Sequence, residues 1–310
     1  MVEDPKMTAK TSLVARAFAK VNLGLEVLGK RDDGYHELRT ILQTVDLYDE
    51  LSFCRENEGI SLTTNDLDIG TGLENLVYRA ASLLAESASS SGLGVSIHLE
   101  KKVPSGMGLG GGSADAAVTL LALDELWDLH TPAPDLHQLA ASIGTDVPFF
   151  LYGGTALAVG RGDEVYPLAV EVDWPIVLIL PDFSISTASA YASLRLTKRR
   201  SGFTLQHFVW RSPCVRDKLG ELVNHLEGAT GSHTAQIQEY KQVLLDRGAL
   251  ATMMSGSGSA VFGVFQDGKS ARSIAEALTR EGLEAVATST LTRQAYWKQR
   301  LSGGPVGGDD

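Results

Sequence analysis

In AKVNLGLEVLG, the apolar residues Ala19, Val21, Leu23, Leu25 and Val27 alternate with Lys20, Asn22, Gly24 and Glu26. This is the period-two pattern of a half-buried strand, with Lys20 and Asn22 on one polar face. RDDGYHELRT then predicts a turn with Asp33 and Gly34 at its tip, a dipeptide favoured where both central residues take positive φ; ILQTVDLYDELSF predicts the returning strand. Asn75 to Ala88 reads as a helix, and VSIHLEKKVP as a strand feeding the stretch PSGMGLGGGSADAA, which packs five glycines into seven residues. Beyond the glycines, Ala116, Leu120, Leu123 and Trp127 recur at spacings of three and four, one apolar stripe of a helix. That stripe makes Ser113 the expected N-cap, with Asp115 in the first turn. A second helix, DLHQLAASIG, is expected to end at Gly144 as a C′ glycine.

The apolar run PIVLILPDF predicts a new strand opening a second domain, with the boundary between Tyr166 and Trp174. KLGELVNHLEG and AQIQEYKQVLLDRG have helical periodicity. The strand pair in ATMMSGSGSAVFGVF, a helix from Ser270 to Arg280 and the strand LEAVATSTL complete a β-β-α-β arrangement, predicting an open sheet with helices on one face.

Composition narrows the function. A chain of 310 residues with 44% hydrophobic and 21% charged residues is a globular protein of one large or two ordinary domains. Its net charge of −11 argues against a general nucleic-acid or anionic-membrane binder, so any phosphate site must be local. Cys54 and Cys214 stand outside metal-ligand spacing and form no disulfide framework. No apolar run reaches the roughly 18 residues of a membrane span, and a cytoplasmic protein is expected.

Glycines between a strand and a helix N-terminus let backbone N–H groups and the positive helix end surround an anion, usually phosphate; a turn shaped only for close packing is the alternative. Gly106, Gly108 and Gly111 fit G-x-G-x-x-G, yet a helix follows where a dinucleotide fold needs a strand ending in a ribose-binding acid. A Walker loop needs Lys after its final glycine, whereas Gly112 and Ser113 follow Gly111. The cradle therefore lies outside both classes.

The stretch PSGMGLGGGSADAA, together with AKVNLGLEV, RDDGYHELRTILQTVDLYDEL, SIGTDVPFFLYGGTA and SGSGSAVFGVF in this order, resembles the GHMP kinases, which phosphorylate small molecules with ATP. The resemblance runs from about Ser12 to Leu291. It implies an α+β fold of two domains: a ribosomal-protein-S5-like α/β domain over 13–168 and a ferredoxin-like domain over 169–300. Residues 1–12 and 301–310 are expected to be disordered. It further implies a small-molecule substrate, cytidine diphosphate methylerythritol of the non-mevalonate isoprenoid route, with ATP and Mg²⁺ as cofactors, in a monomer or weak homodimer that binds neither nucleic acid nor membrane.

By the same resemblance, Asp146 is the general base on the substrate hydroxyl, with Lys20 beside it. Pro104, Ser105, Gly106, Met107, Gly108, Leu109, Gly110, Gly111, Gly112, Ser113 and Ala114 hold the ATP phosphates, Ser113 lying near the outer phosphates or the magnesium. Tyr35 and Tyr191 sandwich the cytosine, His36 binds its edge, and Asn22 and Thr187 contact the rest of the substrate. No dedicated carboxylate cage for the metal is evident in the sequence, and no protein ligand to it is named. Read locally, Asp146 before Val-Pro is a helix cap, Lys20 a solvated lysine, Tyr35 and His36 hairpin-tip residues, and Tyr191 a helix-face contact. Lys101 and Lys102, just ahead of the loop, read either as electrostatic help to the phosphates or, by preference, as solvated. SGSGS, Ser255 to Ser259, reads either as a tight hairpin or as a loop closing over phosphates from the second domain. Phe18, Met107 and His225 depart from the family pattern. Another GHMP kinase, with a different hydroxyl substrate, is the nearest alternative; a dinucleotide-dependent oxidoreductase and a non-catalytic sensor with this fold are remoter ones.

Overall fold

The computed structural model describes residues 11–88, 90, 92–170, 172–194 and 216–302. The Lys198 to Arg200 charge run, Cys214, and residues 1–10 and 303–310 lie outside the described residues.

Among the described residues there are two sheets. The first holds β1 (Ser12–Lys30), β2 (His36–Glu56), β3 (Ile60–Thr64), β4 (Gly94–Glu100), β5 (Thr155–Gly160), β6 (Glu164–Pro167) and β11 (Leu301–Ser302). Its main path runs β11-β1-β2-β4-β3, with β5 and β6 continuing from β2; β3 and β4 are parallel and the other pairs antiparallel. The second runs β10 (Ala285–Ser289), β7 (Pro175–Ile179), β9 (Val261–Val264), β8 (Ala251–Met254), antiparallel throughout.

Helices α1 (Leu76–Ser87), α2 (Gly111–Leu126), α3 (Ala133–Ile143) and the short α4 (Val147–Phe150) belong to the first half. Then come α5 (Thr187–Ser193), α6 (Thr234–Asp246), α7 (Gly268–Arg280) and α8 (Arg293–Arg300). Ala15, Ala17, Leu51, Phe53, Ile97 and Leu99 of the first sheet pack against Ala80, Leu84, Ala117, Leu120 and Leu123 of α1 and α2. The second sheet divides by strand period: Ile176 and Leu178 join Val21, Leu23 and Ile41 of the first sheet, while Val177 and Ile179 face Ile237, Leu244, Ala271 and Leu278 of α6 and α7. The expected one-sided cover of helices is present, and the bare face is packed on the first half.

Several local expectations need correction. The polar face of β1 is not half-exposed: Lys20, Asn22 and Glu26 are each only 3% exposed, the first two lining a cleft and Glu26 pairing with Arg39 of β2. At the β1–β2 turn only Gly34 takes a positive φ, +87°, and Asp33 instead accepts a hydrogen bond from the Tyr35 N–H. Left-handed Gly110 (φ +71°) caps α2, so Ser113 falls inside its first turn and Asp115 beyond it. Gly144 is extended (φ −176°) at the C-cap of α3, not a left-handed C′ glycine. KLGELVNHLEG forms two 3₁₀ turns, Arg216–Glu221 and His225–Ala229, because Asn224 caps the second by accepting from the Leu226 N–H. Lys102 is exposed, but Lys101 is buried between Asp49 and Asp115.

Candidate active site

One cavity of about 780 Å³ lies where the glycine loop, β1 and the second half converge. Lys20, Asn22, Tyr35, His36, Gly106, Gly108, Gly110, Ser113, Asp146, Thr187 and Tyr191 all line it, so residues scattered over 172 positions of sequence share one space. Its volume lies in the range of small-ligand pockets. Pro104, Ser105, Met107, Leu109, Gly111, Gly112 and Ala114 complete the loop and the helix start behind its rim; Met107 and Leu109 pack into the core between the sheets.

The glycine loop is shaped by conformation and by contact. Gly106, Gly108 and Gly110 take φ of +73°, +74° and +71°, accessible to glycine at little cost. A Cβ on Gly108 would stand 2.1 Å from the Ser255 carbonyl oxygen, and one on Gly110 would stand 3.1 Å from the Lys20 side chain. Part of the glycine requirement is therefore close packing within the protein. The α2 N-terminus has no side-chain cap, so its first-turn N–H groups remain donors beside the cavity, the arrangement that favours an anion.

The 255–259 segment is the turn between β8 and β9, and it docks on this loop. Ser255 Oγ donates to the Gly108 carbonyl at 2.8 Å, and the Ala260 N–H donates to the Met107 carbonyl at 3.1 Å. Asn224 steadies the turn by donating to the carbonyls of Met254 and Gly256.

Lys20 Nζ is the hub of the site. It donates to Asn22 Oδ1 at 2.6 Å and to the Gly108 carbonyl at 2.8 Å, and lies 3.6 Å from Asp146 Oδ2. Burial lowers its pKa, and the charge of Asp146 opposes that shift. Asp146 occupies the N-cap position of α4, but its side chain makes no cap hydrogen bond. Its carboxylate, 39% exposed, is turned instead to Lys20 and the cavity, where it is the sole acid among the lining residues.

The aromatic residues lie on the same cavity. His36 stacks on Tyr191 with centroids 5.0 Å apart and planes at 26°, while Tyr35 is 52% exposed under the Arg161 guanidinium. Burial, with Asp146 as a second cause, raises the pKa of Tyr191, so its hydroxyl stays protonated. Thr187 Oγ1 is 2.9 Å from Ser257 Oγ. Asn22 is 3% exposed and donates to Thr40 Oγ1 at 2.8 Å.

Sequence reasoning missed other lining residues, among them Lys30, Thr40, Thr145 and Arg161. Thr40 and Lys30 could have been found from the strand period, since both lie on the strands that carry Lys20 and His36. Arg161, at the β5–β6 turn and paired with Asp163, carries no local signal.

A glycine loop at an uncapped helix start thus faces a buried lysine and a carboxylate across a cleft between two α/β halves. Residues 75–154 match the family model for the GHMP kinases N terminal domain, and residues 215–284 that for GHMP kinases C terminal. The chain is 41% identical over 283 residues to the 4-diphosphocytidyl-2-C-methyl-D-erythritol kinase of Pelotomaculum thermopropionicum, covering 90% of this chain and 98% of that one. To the enzyme of the same name from Caldicellulosiruptor bescii it is 40% identical, covering 91% and 99%. A crystal structure of 4-(cytidine 5'-diphospho)-2C-methyl-D-erythritol kinase superposes with a TM-score of 0.77 at 37% identity, over 90% of this chain and 99% of that chain. Homoserine kinase from Cytophaga hutchinsonii, at 22% identity and TM-score 0.73 over 94% and 99%, shares the fold.

The chain belongs to the GHMP kinases and, within them, to the family of 4-diphosphocytidyl-2-C-methyl-D-erythritol kinases. It is an ATP-dependent small-molecule kinase. Among the described residues, no helix is long and apolar enough to cross a membrane.

Proposed function

We propose that this chain phosphorylates the 2-hydroxyl of 4-diphosphocytidyl-2-C-methyl-D-erythritol from ATP, a step of the non-mevalonate route to isoprenoid precursors, with Asp146 as general base and Lys20 beside it. The substrate assignment rests on the two named relatives at 40–41% identity. The observation that carries the mechanism is the Lys20–Asp146 pair at 3.6 Å, in the same cavity as the open start of α2.

Asp146 takes the hydroxyl proton as the substrate oxygen bonds to the γ-phosphorus and the bond from that phosphorus to ADP breaks. Lys20 favours the ionised carboxylate and offsets the charge developing on the transferred group. The α2 N-terminus, with Ser113 in its first turn, holds the phosphates from Pro104 to Ala114.

The residues present also fit Mg²⁺. Magnesium usually keeps several waters and binds through one or two carboxylates plus the nucleotide phosphates. The cavity offers one carboxylate, Asp146, and the Ser113 hydroxyl, and no cluster of three metal-ligating side chains occurs among the described residues. With Asp146 engaged by Lys20 and the substrate hydroxyl, the Ser113 hydroxyl and the nucleotide phosphates would hold the ion, which when bound supplies charge neutralisation of the polyphosphate.

For the cytidyl end, a base slotted between Tyr35 and Tyr191 displaces His36 from its stack on Tyr191 to the base edge, where the ring nitrogens can exchange hydrogen bonds with it. His36→Ala is expected to raise KM for the cytidyl substrate roughly tenfold or more while KM for ATP stays within about twofold. Equal weakening of both would remove His36 from the base pocket.

The assignment is tested by incubating the protein with Mg-ATP and the cytidyl substrate, following ADP release and the product mass. One added phosphoryl group, with no turnover of homoserine, mevalonate or galactose, is the expected result. Turnover of one of those alcohols in place of the cytidyl compound would assign a different GHMP substrate.

A further inference from the structure

Lys20 is held by a chain of hydrogen bonds whose direction is fixed two residues away. The Thr40 hydroxyl donates to the Gly24 carbonyl at 2.7 Å, and a carbonyl can only accept. Its single proton being spent, the hydroxyl can only accept from Asn22, whose Nδ2 lies 2.8 Å away. The Asn22 amide is thereby oriented with its oxygen towards Lys20, 2.6 Å from Nζ. With the amide reversed, an NH₂ group would face the ammonium, donor against donor. Lys20, Asn22 and Thr40 are 3%, 3% and 4% exposed, so water is poorly placed to substitute for a lost partner.

We propose that Thr40 is a positioning residue for phosphoryl transfer: through the Asn22 amide it fixes the Lys20 ammonium between Asp146 and the Gly108 carbonyl. This rests on the catalytic role of Lys20 proposed above. Asn22 accordingly has a structural task at both ends of its amide. Lys20 is faced by Asp146 from the start of α4, by Asn22 from its own strand, by the Gly108 carbonyl, and by Gly256 from the β8–β9 turn. Of these groups Asp146 is the titratable one.

The test is Thr40→Val, which keeps shape and removes the hydroxyl. It frees the Asn22 amide to turn and weakens acceptance from the ammonium, so kcat should fall roughly tenfold, with KM for ATP within about twofold. Burial already depresses the Lys20 pKa, and losing an acceptor depresses it further. The alkaline limb of the kcat–pH profile should therefore move to lower pH. Thr40→Ser, which restores the hydroxyl, should recover both kcat and the limb. In a Lys20→Met background, Thr40→Val should cost little more, because the residue through which it acts is gone.

Losses that add fully in the double variant, or a fall in kcat that Thr40→Ser does not recover, would make Thr40 a packing residue only. Wild-type kcat and an unmoved alkaline limb in Thr40→Val would overturn the proposal outright. Unchanged turnover in Lys20→Met by itself would instead remove the catalytic role of Lys20 on which the proposal is built.

Discussion

Asp146→Asn should lower kcat by about 10²- to 10⁴-fold, the range that a positioned general base contributes, while the affinity for ATP changes by no more than about twofold. Asparagine matches aspartate in size but cannot accept the hydroxyl proton. Lys20 loses one partner and keeps two, Asn22 and the Gly108 carbonyl, so the wall of the cavity stays in place. Fold stability should hardly move, because the Asp146 side chain makes no cap bond to α4 that asparagine could break. The substitution also separates the two readings of this position. Were Asp146 only a cap, asparagine, an equally good cap residue, would leave turnover intact. Parallel measurement of kcat and of ATP affinity decides it, and substantial residual turnover would take the role of base away from Asp146.

The ambiguity at Asp146 is general to this chain. Local pattern gave strand, turn and helix in the correct order wherever the deciding physics was local: the alternation at 19–27, the helix read from Asn75 to Ala88, which forms as Leu76–Ser87, and the β-β-α-β order after Ala251. It failed where a distant segment decided. Lys20 and Asn22 read as a wet face because nothing within their own strand announces that the turn at 255–259 and the start of α4 will close over them. Ser113 looked like a cap because a serine before an apolar stripe usually is one, whereas left-handed Gly110 had already started the helix three residues earlier.

The site was legible as chemistry before it was legible as geometry. A glycine run between strand and helix points to an anion on physical grounds alone, and the uncapped start of α2 is consistent with that reading. Lys20 and Asp146, 126 positions apart, have no such local mark; only the fold brings them to 3.6 Å. Lys101 illustrates the opposite error. Beside an exposed Lys102 it reads as solvated, yet its partners come from β2 and from the second turn of α2, which no window around Lys101 contains.

Lys101 therefore carries the largest expected stability effect. Its Nζ donates to Asp49 Oδ2 at 2.5 Å and to Asp115 Oδ2 at 2.9 Å, both aspartates being at most 2% exposed. Asp49 Oδ1 also accepts from the backbone N–H groups of Lys102 and Val103, which fixes the chain just ahead of Pro104. The cluster thus ties β2, the end of β4 and α2 together behind the glycine loop. Lys101→Met would leave two buried carboxylates without their cation, a change that costs about 3–5 kcal/mol. Burial already holds the Asp115 pKa well above the usual carboxylate range; Lys101 opposes that shift and nearby Asp49 adds to it. Removing the cation raises the folded-state pKa further above its unfolded value. For a carboxyl shifted in that direction, the neutral form is tolerated in the fold at low pH and stability is lost as pH rises through the folded pKa. The variant should therefore be closest to wild type near about pH 5 and fall progressively behind towards about pH 8. Urea unfolding midpoints at the two pH values, compared at constant m, measure both the loss and its sign. A loss below about 1 kcal/mol, typical of a solvent-screened surface pair, or one that shrinks as pH rises, would show that Lys101 is not the counter-ion that holds the glycine loop to the sheet.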